Sequence, residues 1–297
     1  MKSHQLFFLS FLIPFVSFSQ ENKNPEGWQV SADANLSNTQ SVYSDSWDGN
    51  ESGSIAWTSA LNGVAEKQLS KVMNSRNTLK LEYGQIQTQD RTENIWSGPQ
   101  KSSDNIDFES LFRLTFDSWA DPYISGRFQS LFTDERNDPL EFVNPMTLTE
   151  SAGISRTILK NEKQELISRI GLGIRQRMDR FHLSDPATGA TESKTISDAG
   201  VEWISELKTP ILSDRIHVIT KLLVFQALHN SETKDLEGLP NENYWQTTDF
   251  DLETIFTANI TQLIMVNLNM RWLYDKEIDL RGRFKEVLSL GLTFKIL

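Results

Sequence analysis

The sequence contains no cysteine, so disulfide bonds, thiol catalysis and cysteine-ligated zinc are all excluded. Basic residues are in the minority: 29 lysines and arginines stand against 40 aspartates and glutamates, and the formal net charge is −11. A nucleic-acid partner is therefore not expected, because proteins that bind nucleic acids usually carry a basic patch. Beyond the N-terminal segment, no run approaches the roughly 18 consecutive apolar residues of a transmembrane helix.

The N-terminus predicts a secretory signal peptide. Met1-Lys2 precedes an apolar run from Leu6 to Phe18, and Ser17 and Ser19 supply small residues before a cleavage site ahead of Gln20. A membrane anchor is the alternative, but the run is shorter than the roughly 20 residues that a spanning helix needs. We therefore expect a signal peptide over 1–19, a short periplasmic N-terminal segment over 20–27, and one domain over 28–297.

What the rest of the chain has in abundance is strict alternation of apolar and polar residues. In the last segment, Phe284, Leu288, Leu290 and Leu292 alternate with polar or small residues up to the end of the sequence. A period of two predicts β-strands with one face against an apolar medium. Twelve such segments occur, near 28–37, 55–64, 79–83, 106–116, 124–132, 148–158, 166–178, 199–207, 216–227, 250–260, 264–272 and 284–297.

The connections between these segments alternate in length. Long polar links lie near 39–53, 89–103, 133–147, 179–195 and 229–244, and short links lie near 66–76, 117–122, 160–164, 208–214 and 261–263. Outer-membrane barrels have this asymmetry, with short periplasmic turns and long extracellular loops. In lipid every backbone polar group must be paired, so we expect the last strand to close the sheet against the first.

The predicted fold is therefore an all-β, transmembrane, antiparallel up-and-down barrel of about 12 strands in the outer membrane. Most of the tryptophans fall near predicted strand ends, where amphipathic rings settle at the membrane interface. The alternative is a soluble secreted β-sandwich or a lipocalin-like binding protein, in which the apolar faces would line a core.

The two ends of the mature chain resemble a known family. Near the C-terminus, an acidic strand follows Trp245, another strand ends in Tyr274-Asp275, and the chain closes with Phe-Lys-Glu-x-Leu-x-x-Gly-Leu over 284–292. Near the N-terminus, Gly27-Trp28 is followed by Trp47 and Gly49. These features resemble a Bacteroidota outer-membrane barrel family known as domain of unknown function 3078. The resemblance implies the barrel fold and no established activity.

If the apolar side chains face lipid, the alternate positions face the lumen, and they carry both charges in near balance. The candidate lumen residues are Arg113, Arg127, Arg169, Arg175, Arg177, Lys221, Glu202, Glu206, Asp249, Asp251, Glu253, Arg271 and Arg283. Opposite charges on neighbouring strands either pair and plug a narrow lumen or line an aqueous path for a solute. The near balance of charge favours the plugged or very narrow lumen.

Two arrangements can be predicted in more detail. A three-residue turn over 261–263 places Glu253 opposite Arg271, and we expect these two side chains to be in contact. Arg169, Arg175 and Arg177 lie on one face of one strand. They either pair with acids of the eighth strand, Glu202 or Glu206, or form a stripe that attracts anions.

No sequence motif indicates catalysis or a cofactor. The chain lacks Gly-x-Ser-x-Gly and His-Glu-x-x-His. An outer-membrane hydrolase with catalytic residues at the rim is the alternative function, for which His182 and His229 are the possible bases, with Asp179, Ser184 and Asp185 near His182. The acidic segment 45–51 lacks the ligand spacing of a calcium loop, and no helix start follows Gly171-x-Gly173, so it is no nucleotide motif.

We therefore predict no catalytic residue, no metal ligand and no cofactor. The expected function is structural, or that of a narrow channel or binding protein for a small solute. Outer-membrane lipid is the expected partner, with a small solute or a protein that docks on the long loops in addition.

Overall fold

The computed structural model describes residues 27–41, 43, 52–90, 93, 95–116, 118–136, 140–182, 191–212, 215–261 and 264–295. Within these residues, twelve long strands form one closed antiparallel barrel. We number them β1 to β12 in chain order. They are Gln29–Ser41, Ser54–Ser70, Met73–Thr88, Gln100–Leu114, Asp121–Ser130, Met146–Lys160, Glu165–His182, Thr191–Ile211, Ile216–Asn230, Asp249–Asn259, Ile264–Tyr274 and Arg283–Lys295.

Each strand pairs with its neighbours in sequence, and the last strand closes the barrel against the first. The pairing of β1 with β12 runs from Asp33 opposite Lys295 to Ser37 opposite Gly291. This seam gives both edge strands backbone partners, as a sheet in hydrocarbon requires. The predicted fold class is confirmed.

The outer face of the barrel is apolar. On β12, Leu288 and Leu290 are 69% and 62% exposed, and on β7, Ile170, Leu172 and Ile174 are exposed as well. Buried positions within the barrel instead include many polar and charged side chains. This distribution is the reverse of that in a β-sandwich or a lipocalin, and it does not favour those alternatives.

The two ends of the barrel differ as the sequence predicts. At one end, the turn end, adjacent strands are joined by two to six residues, and at the other, the loop end, the connections are longer. Two small elements in the long loops were not predicted. One is a hairpin of Thr133–Asp134 with Glu141–Phe142, and the other is a 3₁₀ turn over Tyr244–Gln246. None of the helical residues that the structure describes forms a segment long and apolar enough to span a bilayer.

A pair of facing glycines allows one aromatic ring into the barrel. Gly153 of β6 lies opposite Gly171 of β7, and a Cβ atom at Gly171 would lie 2.7 Å from the hydroxyl oxygen of Tyr123 and 2.4 Å from a backbone oxygen. Tyr123 is 3% exposed, and its ring lies 5.6 Å from the Arg169 guanidinium. The close approach at this position therefore requires glycine.

Gly171→Ala is expected to lower the free energy of unfolding by about 1–3 kcal/mol, because the added methyl group overpacks this contact. The measurement is urea-induced unfolding of the barrel in lipid vesicles. Gly126→Ala is the matched control, since nothing lies within 4 Å of a Cβ atom at Gly126. Equal stability of the two variants would contradict the tight packing inferred at Gly171.

Candidate functional site in the barrel lumen

Side chains on the inner face of β4 to β9 fill one half of the lumen with ion pairs. Arg127 of β5 donates a hydrogen bond to Glu202 of β8 over 2.7 Å, and both side chains are buried. Ser151 donates a second hydrogen bond to Glu202 over 2.9 Å. Because β5 and β8 are not neighbours in the sheet, this ion pair crosses the interior of the barrel.

A second cluster lies nearby and joins Glu109, Arg169, Glu206 and Lys221. Arg169 forms a salt bridge with the buried Glu109 and lies 3.9 Å from Glu206. Lys221 lies 3.3 Å from Glu109 and 3.9 Å from Glu206. Two cations and two carboxylates thus alternate, so that each buried charge has an opposite charge beside it.

The third cluster is centred on Arg175, towards the loop end. Its guanidinium lies 3.1 Å from Asp198 and 2.8 Å from Asp249, and it stacks 4.4 Å from the ring centroid of Phe225. Asn230 donates a further hydrogen bond to Asp198 over 2.8 Å. One arginine therefore forms ion pairs with two carboxylates in the barrel.

The other half of the lumen contains space. A cavity of about 140 Å³ lies against β1 to β4 and β10 to β12. On β11 its lining extends from Met265, the second residue of the strand, to Arg271, three residues before the end. A second cavity, of about 30 Å³, lies at the border with the ion-paired half, because Arg127 and Lys221 line it. It has Lys80, Asn105, Glu253 and Arg271 in common with the first cavity.

Lys80 and Glu253 therefore stand between the two cavities. The Lys80 ammonium donates a hydrogen bond to the Glu253 carboxylate over 2.7 Å, and both side chains are partly exposed. Lys80 lies on β3 and Glu253 on β10, so the ion pair bridges the lumen. We call this pair the constriction.

The predicted register of β10 and β11 is confirmed, but the predicted contact is wrong. Glu253 lies opposite Arg271 in the ladder, as a three-residue turn requires. The Arg271 guanidinium instead forms a bidentate ion pair with Asp251, at 2.9 and 2.6 Å, while Glu253 reaches across the lumen to Lys80. A long guanidinium reaches a diagonal neighbour on the adjacent strand as easily as a direct one.

The remaining lumen candidates form weaker ion pairs, or none with the described residues. Arg113 lies 3.9 Å from Asp121 and donates to Thr157 over 3.4 Å. Arg177 and Arg283 form no salt bridge with any residue that the structure describes. The arginine stripe of β7 is therefore divided, because Arg169 and Arg175 are paired and Arg177 has no carboxylate partner among the described residues.

The rim candidates for catalysis are dispersed or lie outside the described residues. Asp179 accepts hydrogen bonds from Arg136 and Asn144, each over 3.1 Å, and His229 is exposed at the loop end of β9. Several of these candidates fall outside the described residues: the side chain of His182, Ser184, Asp185 and the whole acidic segment 45–51.

One long loop is held by an aspartate. Asp134 accepts hydrogen bonds from Arg136 at 2.8 and 2.7 Å and from Asn144 at 2.7 Å. Asn144 is fully buried and accepts a hydrogen bond from the backbone N–H of Arg180 over 2.9 Å. The hydrogen bonds from Arg136 are the main cause that lowers the pKa of the Asp134 carboxyl to about 2. The cluster connects the β5–β6 loop to the end of β7.

Asp134→Asn, which imitates the protonated form, is expected to increase the rate of tryptic cleavage after Arg136 several-fold at neutral pH. The folded-state pKa of Asp134 is depressed, so its ionised carboxylate stabilises the loop at pH values above the unfolded-state pKa of roughly 4. This stabilisation is lost as the pH falls towards the folded-state pKa of about 2. Asp235→Asn, in the β9–β10 loop, is the control. Unchanged cleavage in Asp134→Asn would show that the loop is held by other contacts.

The charged residues were singled out from the sequence, but the amides of the cavity were not. Asn35, Asn62, Asn105, Asn267 and Asn269 all line the larger cavity. They occupy the same alternate strand positions as the charged residues, and this position is the only feature of the sequence that indicates that they face the lumen. Their grouping on one side of the lumen depends on the barrel's closure.

A family model described as "Protein of unknown function (DUF3078)" matches residues 38–135. The expected resemblance is confirmed for that segment, which is less than half of the chain, while the C-terminal motifs that suggested it lie outside the match. No sequence match was found among curated proteins.

Solved barrel structures resemble the chain over most of its length at low identity. An outer-membrane channel from Pseudomonas putida F1 is 10% identical, with a TM-score of 0.42, and the match covers 94% of this chain and 99% of that one. The translocator domain of the autotransporter NalP from Neisseria meningitidis is 12% identical, with a TM-score of 0.41, covering 91% and 89%. The β domain of the Bordetella autotransporter BrkA is 9% identical, with a TM-score of 0.32, covering 90% and 98%.

Proposed function

We propose that this chain is an outer-membrane barrel whose lumen forms a narrow, low-conductance channel for a small polar solute. The observation that carries the proposal is the division of the lumen into a half filled by buried ion pairs and a half that contains the larger cavity, with the constriction and the smaller cavity where the two halves meet. Twelve strands enclose more space than the filled eight-stranded barrels and less than wide porins, in keeping with a narrow path.

The proposal includes the placement of the chain in the membrane. Residues 1–19 serve as a cleaved signal peptide, residues 20–27 remain in the periplasm, and the barrel begins at Trp28. The turn end faces the periplasm and the loop end faces outwards, in contact with outer-membrane lipid along the apolar face. Membership of the DUF3078 family over the whole chain, and the Bacteroidota origin that it implies, belong to the same proposal.

We do not propose a rim-active hydrolase. Asp179, one of its candidate residues, is occupied by hydrogen bonds from Arg136 and Asn144. A purely structural barrel is the competing function, and it requires the lumen to be closed to ions.

Single-channel recording in a planar bilayer tests the proposal. The purified barrel is expected to give discrete current steps, well below those of an open twelve-stranded porin recorded in the same salt. If the protein gives no current steps although its gel mobility shows that it is folded, the structural barrel is favoured. Steps as large as those of the open porin would show that the ion pairs do not narrow the lumen.

A further inference from the structure

The larger cavity is lined by amides and hydroxyl groups rather than by free charges. Its five asparagines come from four strands, and Ser37, Thr58 and Ser289 add hydroxyl groups. An amide supplies two N–H donors and a carbonyl acceptor, and a hydroxyl group both donates and accepts. The lining can therefore satisfy a ligand whose groups are both donors and acceptors.

The cations at this cavity are already neutralised. Lys80 pairs with Glu253 at 2.7 Å, and Arg271 pairs with Asp251 at 2.6 Å. Lys285 lies 3.3 Å from Glu82. A charged solute would find no unpaired counter-charge among these groups, and it would lose its hydration on entry. The lining thus favours a neutral solute.

Several amides are also fixed in orientation. Asn62 donates to Asp33 over 3.1 Å, and Asn269 donates to Glu253 over 3.3 Å, which leaves their carbonyl oxygens as acceptors. Asn105 forms no side-chain hydrogen bond with any residue that the structure describes, although both cavities adjoin it. The cavity therefore contains acceptors that are held in place and an amide whose hydrogen bonds are unused.

The shape and the remaining lining restrict the size and type of the ligand. Ile255, Met265 and Val287 supply apolar surface beside the amides. A sugar ring has the matching character, with C–H groups on its faces and hydroxyl groups around its edge. The volume of about 140 Å³ suits a polyol or a single ring and excludes an oligosaccharide.

We propose that this cavity binds a neutral polyhydroxylated solute of the size of one pyranose ring. The inference rests on the proposed function, because it names the class of solute that the narrow lumen would accept. Binding itself does not require passage, so the site and the channel can be tested separately.

The experiment is saturation-transfer difference NMR on the detergent-solubilised barrel. Glucose and glycine are observed directly, and sulfate is tested for its ability to compete with glucose. Glucose is expected to give a saturable signal in the millimolar range, while glycine gives none and sulfate does not compete. Asn105→Leu is expected to weaken glucose binding at least tenfold, and Asn62→Ala tests the site independently if that variant does not fold. Asn38→Leu, at an exposed position of β1, is the control and should bind as the wild type does.

The outcomes distinguish the two proposals. Glucose binding without current steps would support the site and overturn the channel. Current steps without glucose binding, equal binding of glycine, competition by sulfate, or wild-type binding in both folded asparagine variants would overturn the site and leave the channel standing.

Discussion

Replacement of Arg175 by methionine is expected to lower the free energy of unfolding by about 3–5 kcal/mol, as for other buried ion pairs from which one partner is removed. Arg175 contacts both Asp198 and Asp249, and both aspartates are largely buried in the barrel. Without the guanidinium, two carboxylates would face each other without a counter-charge. The measurement is urea-induced unfolding in lipid vesicles, followed by tryptophan fluorescence.

Arg177→Met is the matched control, because Arg177 lies two residues further on the same strand and forms no salt bridge with the described residues. Its free energy of unfolding should change by less than about 0.5 kcal/mol. The triple variant R175M/D198N/D249N should regain much of the lost stability, since it removes the stranded charges as well. Equal effects of R175M and R177M would show that the pairing around Arg175 contributes no stability.

Removal of both members of the constriction should raise the single-channel conductance several-fold. In Lys80→Ala/Glu253→Ala, the cavities of about 140 and 30 Å³ become continuous, because these two side chains stand between them. The single variants should also differ in selectivity. Lys80→Ala leaves the Glu253 carboxylate in the path and should favour cations, and Glu253→Ala should favour anions.

The control for this experiment is Lys194→Ala/Glu232→Ala, which removes an ion pair of 2.9 Å at the loop end, where Lys194 is half exposed. It should leave the conductance unchanged. If the constriction variant conducts no better than this control, the ions take another route or the lumen is closed elsewhere.

The barrel itself could be predicted because lipid imposes a period of two that is visible in single strands such as β12. Two charged residues of β6, Arg156 and Glu150, break the alternation, and the structure explains only the first. Arg156 faces outwards on β6, and its guanidinium lies 5.5 Å from the Trp119 ring at the turn end. Glu150 also faces outwards, beside Ile174, and nothing in the described structure explains its presence there.

The pairing inside the lumen could be predicted only where one short turn sets it. The three-residue turn gives the register of Glu253 and Arg271, but it does not determine which carboxylate the arginine reaches. Arg127 and Glu202 are 75 residues apart in sequence and belong to strands that are not adjacent. Their contact depends on how the whole sheet closes, and alternation along a strand contains no information about that closure.

Hydrocarbon is expected to cover every second side chain around the barrel, and the absence of cysteine allows this contact to be measured directly. Single cysteines at positions 287 to 290 of β12 are labelled with a fluorophore, and the protein is folded into vesicles of brominated phospholipid. We predict strong quenching at 288 and 290 and weak quenching at 287 and 289, where Val287 and Ser289 line the cavity. Uniform quenching along the strand, or none at 288 and 290, would contradict the account.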